Sequence, residues 1–124
     1  MLRLPLLVLA LITLAAGAVL AQPGSPVDCG PTTCFVLKVT VEGRTPDQRA
    51  TEATNVINKY LGGNVGKVTT QPAGKSVKLL LNSELVTLVT PQDAAIEKEK
   101  TAAALAARWR QRLEAAFEET KAQP

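Results

Sequence analysis

Histidine is absent from the 124 residues. That removes the usual general base at neutral pH, the usual zinc ligand and the usual pH switch. Aromatic residues make up only 3% of the chain: one Trp, one Tyr and two Phe. Nucleic-acid binding by base stacking needs exposed rings, and only Tyr60 is a candidate for exposure, so no nucleic-acid partner is expected. No phosphate-cradling glycine loop, metal-ligand cluster or nucleophile elbow occurs, and neither a cofactor nor a catalytic residue is assigned. The formal net charge of +3 is close to neutral and argues only weakly for an anionic partner.

What is present begins with an apolar segment. Arg3 precedes the run Leu4 to Leu14, and small residues lead to Val19-Leu20-Ala21-Gln22. This is the order of a secretory signal peptide over residues 1–21, with cleavage after Ala21. The expected location is therefore exported, periplasmic or secreted, with an uncleaved N-terminal membrane anchor as the minor alternative. About a hundred residues remain, enough for one small and marginal core.

Residues 22–33 are rich in Pro and Gly and read as a flexible leader. Cys29 and Cys34 bracket Gly30-Pro31-Thr32-Thr33, and in an exported chain so close a pair implies a disulfide. A redox centre is disfavoured, because the second Cys falls two residues too late for Cys-x-x-Cys. Residues 34–121 read as a single α+β domain. Phe35 to Glu42 alternates as a half-buried strand. Thr45-Pro46-Asp47-Gln48 supplies a helix cap, a first-turn Pro and a capping-box Gln. The helix runs to about Tyr60, burying Ala50, Ala53, Ile57 and Leu61, and Gly62-Gly63 stops it. Strands follow over Val65–Gln71, Val77–Leu81 and Glu84–Val89, with Asn82-Ser83 as a two-residue hairpin turn. Thr90-Pro91-Gln92-Asp93 repeats the capping device and opens one long helix from Thr90 to Lys121. Its buried stripe is Leu105, Trp109, Leu113 and Phe117, filled in by Ala102, Ala106 and Ala116. The order β-α-β-β-β-α predicts a two-layer sandwich: a small antiparallel or mixed sheet with both helices on one face.

The charged residues suggest no catalytic constellation. Glu97 and Glu99 diverge on a continuous helix, while Arg110 and Glu114 are spaced for a surface ion pair. Lys75 and Lys78 flank Ser76 but point to opposite faces of a strand, so no Ser-Lys nucleophile is assembled. The basic clusters Lys67/Lys75/Lys78 and Arg108/Arg110/Arg112 make contact with an anionic envelope surface a minor expectation.

The run Leu85-Val86-Thr87-Leu88-Val89-Thr90-Pro91-Gln92-Asp93-Ala94, followed by Leu105-Ala106-x-x-Trp109 and Leu113-x-x-Ala116-Phe117, resembles a known pattern. It is similar to the extracytoplasmic N-terminal domain of cyanobacterial-type small-conductance mechanosensitive-channel-like proteins. Val41-Glu42-Gly43-Arg44 and Gln48-Arg49-Ala50 resemble that domain's first strand, turn and helix start. The pore-forming helices do not follow, so the resemblance implies the membrane-external domain only, with Asp93 in a cap and Trp109 in the core. The function expected is that of an exported, non-enzymatic interaction module. Its partner would be an unidentified envelope protein, with a membrane channel as the candidate the resemblance implies. Val36, Val86 and Leu88 are the candidate exposed strip. The alternative is a small-ligand binder or an enzyme of unfamiliar type, with Thr87, Asn82 or Tyr60 converging on a pocket.

Overall fold

The computed structural model describes residues 24–63 and 67–122. The expected signal peptide and Val65 lie outside the described residues. The fold is α+β: the described residues form five strands in two small antiparallel sheets, and three helices.

β1 (Ser25–Cys29) and β2 (Thr32–Leu37) form a hairpin across Gly30, whose φ of 67° suits a residue without a Cβ. Most of the stretch read as a flexible leader is therefore ordered strand. Its alternation of buried Ser25, Val27 and Cys29 with exposed Pro26 and Asp28 was hidden by the Pro. That Pro is tolerated because β1 is an edge strand. The Cys29–Cys34 disulfide ties the hairpin together, with both sulfur-bearing residues 1% exposed.

β2 stops at Leu37, short of the expected Glu42. Ser25, the first residue of β1, pairs with Leu37, so the ladder runs out of partners there. Val39 still points into the core. Val41 and Arg44 then exchange backbone hydrogen bonds of 2.9 Å around Glu42 and Gly43, both with positive φ. This is the two-residue left-handed turn that twisted antiparallel chains favour.

α1 (Pro46–Tyr60) starts on the expected cap: Gln48 N donates to Thr45 Oγ1 and Thr45 N donates to Gln48 Oε1. β3 (Val68–Ala73), β4 (Ser76–Leu81) and β5 (Glu84–Val89) form an antiparallel meander with β4 in the centre. Asn82 and Ser83 make the expected turn, with φ of 51° and 70°.

The expected single helix is two. α2 (Pro91–Ile96) opens on the Thr90 cap, and α3 (Ala102–Ala122) begins after a break. Lys98 takes a φ of 61°, and the bonds Glu99 N to Ala94 O and Lys98 N to Ala95 O close a Schellman stop. A Lys stands where Gly is usual, so nothing in the local composition announced the break. Thr101 caps the new helix, accepting from Ala104 N at 3.1 Å.

The α3 stripe is buried as its spacing required: Leu105 and Leu113 are fully enclosed, and Trp109 stacks on Phe35 with ring centroids 4.4 Å apart. One apolar cluster joins all five strands and all three helices. α1 packs on β1 and β5, and α3 on β2, β3 and β4. Among the described residues no helix covers the other face of the three-stranded sheet.

Candidate functional site

Arg49 organises the region where the two sheets approach each other. It lies on α1 at the same turn positions as Ala53 and Ile57, so helical geometry aims it inward, and it is only 4% exposed. Its guanidinium donates from Nη1 to Asp93 Oδ1 at 2.9 Å and from Nη2 to Asp93 Oδ2 at 3.0 Å, a two-pronged ion pair. The same nitrogens donate to Val39 O at 2.8 Å and Leu88 O at 2.9 Å. Asp93 Oδ2 also accepts from Thr90 N and Thr90 Oγ1. The carboxylate that caps α2 therefore holds the arginine of α1, and the arginine bridges the chain after β2 to the edge of β5. A side chain takes the place that a continuing strand ladder would have filled.

Arg49 escaped sequence reading as a core group, although a signal existed. Arg49, Ala53 and Ile57 fall at i, i+4 and i+8, which puts a cation on the apolar stripe.

Above this ion pair opens a cleft of about 430 Å³. One wall is the Val41–Arg44 turn and α1, and the other is the outer side of β4 and β5. Val41, Leu85 and Leu88 supply apolar lining, and Arg44, Glu52 and Lys78 supply charge. Arg44 and Glu52 pair at 3.2 Å, both well exposed. Leu85, at 47%, is the exposed large hydrophobic residue on this surface.

The proposed strip of Val36, Val86 and Leu88 does not exist as one surface. Val86 is buried at 3%, because a bulge between Leu79 and Leu80 inserts it as an extra residue in β5. Val36, half-buried, belongs to the other sheet and lies near Lys38, Ile96 and Trp109. Only Leu88 reaches the cleft.

The polar groups expected to converge on a pocket are also dispersed. Thr87 is buried and accepts from Arg49 Nη2 at 3.4 Å. Asn82 accepts from Lys67 N within the hairpin turn. Tyr60 donates to Glu84 Oε1, while Lys59 pairs with Glu84 Oε2 at 2.7 Å. Hydrogen bonds from Lys59 and Tyr60 hold the Glu84 carboxyl below its ordinary range. The Glu84 bond raises both Tyr60 and Lys59 above theirs.

Glu97 and Glu99 do act together, contrary to the expectation from a continuous helix. The break after α2 turns both toward Arg108, at 2.9 and 2.8 Å, and Lys38 joins Glu97 at 3.1 Å. Arg110 and Glu114 form the expected i, i+4 pair at 3.5 Å.

Among the described residues no group of three His, Cys, Asp or Glu side chains is placed to hold a metal ion. No described helix is long and apolar enough to cross a membrane. The buried disulfide is consistent with an oxidising, exported location. No curated protein and no solved structure matches the chain. A family described as a domain of unknown function (DUF8459) matches residues 26–120, from β1 into α3, and the chain belongs to that family.

Proposed function

We propose that this chain is an exported, non-enzymatic module that binds another protein of the cell envelope through the cleft beside Arg49. The observation that carries the reading is Leu85, exposed at the lip of a cleft that Val41 and Leu88 also line and that carries charges of both signs. An apolar anchor ringed by polar groups is the arrangement of a binding hot spot, in which a side chain of the partner excludes water from the centre. The Arg49–Asp93 bridge supports the role by holding the two walls of the cleft in register. The disulfide supports residence in an oxidising compartment. The resemblance to channel-associated external domains makes a membrane channel the partner to examine first.

The test places a photoreactive side chain at position 85 and, as a control, at Asn55 on the far side of α1. Irradiation of intact envelopes should give one discrete adduct from position 85 and none from position 55. The adduct should disappear when Val41→Asp is added. Identical adduct patterns from both positions would remove the cleft as a binding site.

A small-ligand site is the second reading, favoured by the cleft volume, which falls within the range of ligand pockets. It predicts that a bound small molecule leaves with the purified protein and is lost with Val41→Asp.

A further inference from the structure

The outer face of the three-stranded sheet has a composition unlike the rest of the molecule. Strand register puts Thr69, Leu80 and Leu85 in one row and Gln71, Lys78 and Leu88 in the next. Ala73 and Ser76 continue the face, Lys67 lies at one end of it, and Lys75 sits in the turn at the other. Lys67, Lys75 and Lys78 are all exposed, and none has an ion-pair partner among the described residues. Residues 67–89 contain one carboxylate, Glu84, and it is engaged by Lys59 and Tyr60. Glu42 and Glu52 stand across the cleft from Lys78, and Glu52 is paired with Arg44. Among the described residues the face thus carries Lys67 and Lys78, with Lys75 in the turn at its end, around three leucines, and no carboxylate lies on it.

We infer that this face docks on an anionic lipid surface. The complement of such a face must be negative and apolar at once. The cations are all lysines. Lysine is a flexible point charge without the planar fork that recognises a particular carboxylate, so it suits a fluid layer of headgroups better than a structured acidic partner. Lysine stems cover apolar surface while their ammonium groups reach outward, which lets Leu80 and Leu85 approach the interface between them. Three strands at their usual spacing give a patch roughly 10 Å by 20 Å, broad enough to touch several headgroups. This inference goes beyond the protein partner proposed above. It shares Leu85, Leu88 and Lys78 with the cleft assigned to that partner, so lipid and protein would occupy this face alternately.

The test is lysine footprinting of the full chain by limited acetylation and mass spectrometry. It is run with vesicles of phosphatidylcholine alone and with vesicles containing a third phosphatidylglycerol. Each ammonium near such a surface is worth about a fivefold change in partitioning. Lys67, Lys75 and Lys78 should therefore be protected several-fold by the anionic vesicles and not by the neutral ones. Exposed Lys100, on the α2–α3 connection, should react equally in both. Salt at 1 M, where the screening length shrinks to about 3 Å, should abolish the protection. The triple variant K67Q/K75Q/K78Q should lose about a hundredfold in preference for anionic over neutral vesicles. Equal reactivity of all lysines with anionic vesicles would overturn the inference. So would protection by soluble polyglutamate equal to that by vesicles, which would assign the face to an acidic protein. Leu85 and Lys78 belong to both surfaces, so the two readings separate at position 85: a protein adduct there that anionic vesicles leave undiminished supports the protein partner and overturns lipid docking.

Discussion

Replacing Asp93 by Asn tests the central claim about this fold, that one buried ion pair joins its two sheets. The substitution keeps the side-chain shape and leaves an oxygen to accept from Thr90 N, so most of the α2 cap survives. What it removes is the negative charge facing Arg49. Both partners are almost fully enclosed, at 4% and 2% exposure, and two contacts of 2.9 and 3.0 Å are lost or weakened. An uncompensated guanidinium in such a place costs about 3–5 kcal/mol. A domain of this size has a total stability of roughly 5–15 kcal/mol, so the variant should be near the limit of folding. Its Tm should fall by roughly 15–30 °C. The assay is urea unfolding followed by far-UV circular dichroism and by Trp109, the one tryptophan in the chain. Arg49→Met should be destabilising by a similar amount, because it strands Asp93 as well as Val39 O and Leu88 O. The double variant should be far less damaged than the sum of the two, with a coupling of about 2 kcal/mol or more. A loss below about 1 kcal/mol for either single change, or strict additivity, would refute the reasoning.

Three further outcomes follow from local features. Lys98→Gly should raise stability by about 1 kcal/mol in the same urea assay, since φ of 61° penalises a side chain there; a loss of stability would show that Lys98 has a role the backbone does not reveal. Spectroscopic titration of Tyr60, the single tyrosine, should give a midpoint above the ordinary tyrosine value, and Glu84→Gln should bring it back down. The sign for stability follows. The raised Tyr60 and Lys59 groups contribute fully below about pH 10 and lose their contribution as pH rises through their folded values. Glu84, lowered, contributes fully above its ordinary value and loses its share as pH falls through the folded one. Finally, replacing Cys29 and Cys34 together by Ala should cost about 2 kcal/mol, the small figure expected for so short a loop. Thiol reductant should have no effect on that variant, and sensitivity there would mean the stabilisation has another source.

Much of this molecule was legible without coordinates. The caps at Thr45 and Thr90, the Asn82-Ser83 turn, the stripe through Leu105, Trp109, Leu113 and Phe117, and the α+β class all follow from contacts among residues a few places apart. Such contacts depend only on backbone periodicity and on which side chains can satisfy exposed N–H groups. Other features had no local cause. β1 exists because Ser25, Val27 and Cys29 find β2 and α1 to pack against, which overrides the turn-forming signals of Pro and Gly. The helix break at Lys98 occurs without Gly or Pro, alongside the capture of Glu97 and Glu99 by Arg108 and of Glu97 by Lys38. Val86 turned inward because of a bulge, which a one-residue count along the strand cannot foresee.

The candidate surfaces divide the same way. That Lys67, Lys75 and Lys78 carry no local partner was visible in the sequence. That Lys78 lies on one open face with Leu80 and Leu85, with Lys67 and Lys75 at its two ends, was decided by strand register and by both large helices packing on the opposite side. Arg49 and Asp93 are the clearest instance, being 44 positions apart. Each has an ordinary reading on its own: a charged residue near a helix start, and an acidic cap. Only the folded chain excludes water from both, and in that environment each charge needs the other.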